Sequence, residues 1–249
     1  MNDEKWTVTF WVSRQKGQEP RAFQSFDLEV DPDEYVLDGV ERIWAFHDRS
    51  LTYRHACHHS TCGACGMLVN GVEKLTCITT IRSVTHNGGK IKVEPLRNFP
   101  IVSDLVVDMS RFYTDLEEAK ATQVAPLLEA CLPYERKSFE GLPEETERLV
   151  DCIECGMCIS ACPSALTAST YVGPAILAAA QLAYTQTGDL SLLHSSDNHE
   201  GAWGCHSVYE CSAVCPSNVD PAWRIMDLRK KVIGHRIRSL FGKQAAASL

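Results

Sequence analysis

The chain begins in a two-residue rhythm and ends in a longer one. In "WTVTFWV" (6–12) and "FDLEV" (26–30) apolar and polar positions alternate, as they do in strands with one buried face. "KIKVEPL" (90–96) predicts a further strand. Between "MLV" and "VEKL" stands Asn70-Gly71, a pair that accepts the positive φ angles of a two-residue hairpin turn. One helix fits after "DPDE": Val36, Val40, Ile43 and Trp44 share a face, with Asp31 or Asp33 available as cap.

Later the apolar period lengthens to that of a helix. Residues 104–121 carry it and end in a polar segment. "PEETERLV" (143–150) begins with a proline suited to a first turn. "GPAILAAAQLAYTQTG" (173–188) runs from a Gly-Pro start to a glycine stop. The last helix opens with Asp220 as cap and Pro221 at its first position. Residues 122–142, with prolines and a glycine, read as a connector. A β-rich part therefore precedes a helical part, with the boundary near residue 108: 1–108 and 109–249.

Composition narrows the function. The chain has 249 residues, 45% of them hydrophobic, enough for a packed core in each part. Net charge is −8, which argues against nucleic-acid binding. That average hides a basic end: from Ala222 onward there are seven Lys or Arg and one acid, a net +6. The N-terminus has no basic, apolar leader of the secretory kind. The longest apolar stretch, around Pro174 to Tyr184, is far short of the ~20 residues a membrane span needs.

Twelve cysteines change the picture most. Disulfide-dense scaffolds are short and secreted, so reduced thiolates holding metal are the better reading. Cys57, Cys62, Cys65 and Cys77 lie early; Cys152, Cys155, Cys158, Cys162, Cys205, Cys211 and Cys215 lie late. Cys131 stands alone and reads as a buried apolar thiol.

"CHHSTCGACG" gives C-x4-C-x2-C, with Cys77 eleven residues on, the plant-type spacing for a [2Fe–2S] cluster. Gly63 and Gly66 allow the backbone to wrap closely. Zinc also takes four thiolates, but the wide first gap and the glycines suit a cluster better. His55, His58 and His59 invite a Rieske reading, yet all four cysteines are present, so they read as exposed loop histidines.

"CIECGMCISACP" is C-x2-C-x2-C-x3-C-P, the bacterial ferredoxin run, whose fourth cysteine serves the other cluster. Cys205, Val208, Cys211, Cys215 and Pro216 repeat its spacing, with valine in the second place. Crossing the ligands assigns Cys152, Cys155, Cys158 and Cys215 to a [4Fe–4S] cluster. Cys162, Cys205 and Cys211 remain for a second cluster. Valine cannot ligate iron, so a [3Fe–4S] cluster is its natural occupant. No Gly-rich nucleotide turn, flavin site or nucleophile triad is evident, so the chain reads as an electron conductor.

A two-iron site, a four-iron run and then a gapped run resemble the iron–sulfur subunit of succinate dehydrogenase or quinol:fumarate reductase. "LRNFPIVSDLVVDMSRF" between the parts and the "GPA" after the four-iron run extend the resemblance over nearly the whole chain. It implies an α+β chain: an N-terminal β-grasp plant-type ferredoxin domain and a C-terminal all-α bacterial-type ferredoxin domain. It also implies a subunit of an oxidoreductase, not catalytic on succinate by itself. Electrons would pass between the FAD of a flavoprotein subunit and a quinone, with the chain held peripherally at the cytoplasmic side of the plasma membrane by anchor subunits, which carry haem in some relatives.

In some relatives the third two-iron ligand is aspartate; Cys65 matches the fumarate reductase pattern. Pro163, His206 and Arg229 fall where relatives approach the quinone. Leu166 and Thr167 stand where ubiquinone-reducing relatives have paired tryptophans, which points toward menaquinone or a different anchor. The basic end would face anionic lipid. Competing readings are a related iron–sulfur subunit serving glycolate or disulfide chemistry, and a zinc-bound structural protein.

Overall fold

The computed structural model describes residues 5–118 and 152–246, with side chains to residue 241. The helix expected over 143–150, the connector at 122–142 and Cys131 lie outside the described residues. Contacts divide the chain into two units. Residues up to Ser110 join Ile153–Ala161 in the first, and the remainder forms the second.

In the first unit β1 (Trp6–Arg14) and β2 (Ala22–Val30) pair antiparallel, with Phe10 opposite Phe26 and Val8 opposite Leu28. The alternation seen in the sequence becomes a buried row: Val8, Phe10 and Val12 on one strand, Phe26, Leu28 and Val30 on the other. β5 (Lys90–Glu94) joins β1 in parallel, and β3 (Gly66–Val69) and β4 (Val72–Leu75) complete the order β2-β1-β5-β3-β4. Asn70 and Gly71 have φ of 53° and 84°, the two positive angles the hairpin required.

α1 (Val36–Arg42) lays Val36 and Val40 on this core, and Ile43 follows in one wide turn of π-helix over Ile43–His47. Two details differ from expectation. The helix is capped by Asp38, whose carboxylate accepts the Tyr35 N–H at 2.9 Å, while Asp31 is spent on the Asp33 N–H in its own turn. Trp44 is turned outward by the wider turn and is 36% exposed.

The helix expected from residue 104 starts later. β6 (Ile101–Ser103) and β7 (Val106–Val107) first form a ribbon around Asp104. The buried Asp104 carboxylate accepts N–H groups from Arg14 (3.1 Å), Gln15 (3.0 Å) and Thr52 (2.9 Å). That network holds residue 104 in a corner with φ of 46°, which no helix allows. α2 (Ser110–Glu118) begins only where Asp108 accepts the Ser110 N–H. α3 (Met157–Ser160) also belongs to the first unit.

The second unit holds α4 (Pro163–Thr167), α5 (Pro174–Thr187), α6 (Leu190–Ser196), α7 (Glu210–Ala213) and α8 (Pro221–Ala246). α5 is buried on nearly every side, which explains its lack of a polar face. Leu177, Leu193, Ile225, Leu228 and Val232 pack together as the core. Asp220 caps α8 as expected, accepting the Trp223 N–H. The short α3, α4, α6 and α7 lie outside the helical patterns of the sequence. Among the described residues no helix is long and apolar enough to cross a membrane.

Candidate iron–sulfur centres

The loop 57–65 is forced into a wrap by positive φ angles at His58 (60°), Ser60 (62°) and Gly63 (69°). The wrap aims backbone N–H groups at sulfur. His59 and Thr61 donate to Cys57 Sγ at 3.4 and 3.3 Å, and Ser60 donates to Cys77 Sγ at 3.4 Å. The last contact brings the fourth cysteine to the loop across seventeen residues. Thr76 holds the returning strand by donating through Oγ1 to the Cys65 carbonyl at 2.9 Å. Cys62 lies close enough to Cys57, and Cys65 to Cys77, for each to shift its neighbour's thiol, and Cys77 also feels the charge of Cys57. All four sulfurs therefore converge.

Their chemistry differs with depth. The His59 N–H leads the contacts that bring the half-buried Cys57 thiol down to about 6. Burial pushes Cys77 up to about 12, with the Cys65 hydrogen bond adding to it. Thiols gathered this closely stay ionised only around a cation, and an all-thiolate set suits soft iron or zinc. The N–H groups aimed at sulfur are a further feature that a cluster uses.

The ferredoxin run touches this loop inside the first unit. A Cβ placed on Gly63 would meet Cys155 Cβ and the Ile153 carbonyl oxygen at 2.8 Å each. Only glycine fits there. Cys158 lies on α3 in the same unit. In the second unit Cys152 and Cys215 both pack on Ala178, Leu182 and Val219, and the Val219 N–H donates to Cys215 Sγ at 3.4 Å.

The repeat found in the sequence is also a repeat of backbone. Glu154 and Ser207 correspond, and both have positive φ (52° and 57°). So do Gly156 and Tyr209 (76° and 69°). Each second residue opens a four-residue helix, Met157–Ser160 in one copy and Glu210–Ala213 in the other. Even the turn bonds match: Ser160 N–H to Gly156 O, and Ala213 N–H to Tyr209 O.

Cys162, Cys205 and Cys211 line one small pocket with Tyr171 and Val208. Cys162 sits at the N-cap of α4 and Cys211 within α7; both are buried. Burial pushes Cys211 up to about 12 and Cys162 upward too, and in each case neighbouring cysteine charge adds to the rise. The Ser207 N–H donates to Cys205 Sγ at 3.4 Å. Val208 stands at the second position of the repeat, where the other copy has Cys155, and is half exposed. Three sulfurs therefore face one another, with a hydrocarbon where the pattern calls for a fourth.

Comparison with known proteins agrees with this geometry. A family described as "2Fe-2S iron-sulfur cluster binding domain" matches residues 9–114, and a "4Fe-4S dicluster domain" matches 148–219. A fumarate reductase iron–sulfur subunit of Mycobacterium tuberculosis is 34% identical, over 94% of this chain and 96% of the relative. The chain belongs to the fumarate reductase iron–sulfur subunit family. A second member, from Haemophilus influenzae, is 35% identical over 82% of this chain and 84% of its own. The fold is shared with a chain of a structure titled "Mycobacterium smegmatis Sdh1 complex in the apo form". That likeness has a TM-score of 0.76 at 22% identity, covering 94% of this chain and 98% of the other. The iron–sulfur subunit thus has the expected α+β fold, a β-grasp ferredoxin domain followed by a helical one, and is an oxidoreductase subunit.

The remaining candidates of this iron–sulfur subunit distribute unevenly. Pro163 starts α4 and, with the exposed His206, lines the pocket of the three cysteines. Arg229, on α8, is half-buried and does structural work. It donates to the carbonyls of Ala202 (2.9 Å) and Cys205, and to Ser207 Oγ (3.1 Å). It thereby clamps the loop that carries Cys205. Leu166 is 70% exposed on α4.

Sequence reasoning missed Tyr171. Its hydroxyl is shut off from solvent, makes no well-aligned hydrogen bond and lies beside Cys205; burial drives its pKa upward, and the nearby cysteine charges add to this. No spacing could have marked it, because it reaches the pocket from another segment. His55, His58 and His59 are exposed, as read from the sequence.

Proposed function

We propose that this subunit conducts electrons between the FAD of a flavoprotein subunit and a membrane quinone. Three bound clusters, [2Fe–2S], [4Fe–4S] and [3Fe–4S], would supply the one-electron chemistry. Cys57, Cys62, Cys65 and Cys77 would hold the first, at the flavin end. Cys152, Cys155, Cys158 and Cys215 would hold the second, and Cys162, Cys205 and Cys211 the third, nearest the quinone. The assignment keeps a boundary between ferredoxin domains at 108/109.

The observation that carries this reading is the contact of Gly63 with Cys155, which brings the loop of the first ligand set against the run of the second. Gly63 permits the approach. Backbone N–H groups at residues 59, 60 and 61 stabilise thiolate charge. Val208 withholds a fourth ligand from the last site, where Cys162 and Cys211 are themselves buried. Pro163, His206 and Arg229 form the candidate quinone side. Leu166 and Thr167 in place of aromatic residues favour menaquinone. Anchor subunits, with or without haem, would hold the chain at the cytoplasmic face of the plasma membrane, with the basic end of α8 toward anionic lipid.

The test is electron paramagnetic resonance of the oxidised complex at low temperature. A [3Fe–4S] cluster is paramagnetic when oxidised, whereas oxidised [2Fe–2S] and ordinary [4Fe–4S] clusters are silent. A signal in the oxidised sample is expected. Silence there, with iron present and signals only on reduction, removes the three-cluster reading; zinc without iron removes the electron-transfer reading altogether.

A further inference from the structure

Beside the loop of the first cysteine set, a second set of ligand atoms meets. Glu41 comes from α1, and His55 and His58 flank Cys57 in the chain. His55 Nδ1 lies 3.0 Å from His58 Nε2. Glu41 Oε1 lies 3.2 Å from the first nitrogen and 3.3 Å from the second. We propose that these three residues bind a divalent transition-metal ion of the zinc class, at a site separate from the cysteine sets.

The triangle has the size such an ion demands. Bonds of ~2.0–2.1 Å in tetrahedral geometry set neighbouring ligand atoms about 3.3–3.4 Å apart. The three atoms already stand at 3.0–3.3 Å, so small side-chain shifts admit the ion. Hydrogen bonding explains the triangle poorly. Glu41 Oε1 is closed to solvent and has no aligned donor, although both imidazole nitrogens are near. A buried acceptor left so is costly, and a cation removes the cost.

The ligands are also held in place by their surroundings. Tyr53 stacks on His55 with ring centres 5.1 Å apart and planes at 19°. His58 is set by its left-handed backbone, φ 60°. Glu41 stands on a helix whose next turn packs Ile43 in the core. Two imidazoles and one carboxylate select zinc, iron or nickel over calcium or magnesium. Three protein ligands leave the fourth position open. The same three residues line a pocket of about 720 Å³, shared with Trp44, Leu51, Thr52 and Tyr53. A water molecule or a small anion fits the open position, and the pocket is of a size that takes a small molecule.

The test uses the complex with its clusters loaded. It is equilibrated with micromolar Zn²⁺, dialysed, and assayed for retained zinc per subunit. X-ray absorption at the zinc edge then reads the ligands. One zinc with only nitrogen and oxygen neighbours and an imidazole pattern is expected. It should be lost in His55→Ala/His58→Ala and bound at least tenfold more weakly in Glu41→Gln. The [2Fe–2S] signal of each variant, recorded after reduction, reports whether the loop still folds. Should a variant lose that signal, the unsubstituted complex decides alone. No retained zinc, sulfur neighbours at about 2.3 Å, or equal zinc in a correctly folded variant overturns the proposal.

Discussion

At the scale of single residues, the last site turns on two side chains that spacing treats very differently. Val208 is conspicuous in the sequence because it breaks a repeat. A thiolate in its place would complete a four-ligand set. Val208→Cys should abolish the oxidised-state resonance and replace it with one that needs reduction; an unchanged oxidised signal would show that Val208 is not at the vacant corner. Tyr171 is invisible to spacing. Its buried hydroxyl lies beside Cys205 without an aligned hydrogen bond; turned to donate to that sulfur, it would favour the more negative, reduced state. A hydrogen bond worth about 0.5–1.5 kcal/mol corresponds to roughly 20–60 mV for one electron. Tyr171→Phe should therefore lower the potential of the cluster bound there by that amount in a redox titration. A shift below about 10 mV, smaller than any such bond would give, would mean the hydroxyl does not reach the sulfur.

At the scale of elements, the segment Ile153–Ala161 depends on the sheet of the first unit. Ser160 accepts the Arg97 N–H at 2.9 Å and donates to Glu73 Oε1 at 2.8 Å. Arg97 completes the triangle by donating to the same Glu73 oxygen at 2.9 Å. Asn98 adds a bond to the Ile159 carbonyl at 2.7 Å. The Glu73 carboxylate is 3% exposed, so each bond it loses goes uncompensated by water. Ser160→Ala is expected to cost about 1–3 kcal/mol, read as a lower denaturation midpoint at unchanged slope. A midpoint that does not move would show that Arg97 alone satisfies Glu73. None of this was legible as pattern. Glu73 alternates along β4 like any strand residue, and only the packed partner explains why it is buried.

At the scale of the whole chain, metal and folding are linked through the thiols. Burial raises Cys211 from its ordinary 9.0 to about 12, and raises Cys162 as well. In the cluster-free chain the folded state thus keeps protons that the unfolded state releases once the pH passes about 9. The unfolded state then binds fewer protons, so stability must fall as pH rises, by up to about 1.4 kcal/mol per pH unit for each such thiol. Removing the clusters with a chelator and an oxidant should leave a chain whose melting temperature drops between pH 9 and pH 11. The loaded chain, its thiols already ionised, should lack that drop. Parallel melting curves with and without metal would remove the linkage.

The sequence by itself marked the candidate ligand cysteines, because the reach of a short loop around a metal core restricts how many residues can separate two cysteines. It determined the alternating strands, the Asn70-Gly71 hairpin and the capped ends of α5 and α8, since each rests on a local rule of backbone or burial. The ferredoxin duplication was visible as spacing, and the matched positive φ angles show the same repeat in the backbone. Tertiary structure alone decided the rest. Asp104 stops a helix that periodicity favours, because it collects N–H donors from Arg14, Gln15 and Thr52, all distant along the chain. Gly63 needs to be glycine because Cys155 lies against it, ninety-two residues away along the chain. Glu41, His55 and His58 meet because the end of α1 lies beside residues 55–58 in the fold. Such contacts join residues with no fixed separation along the chain, so no local period can encode them.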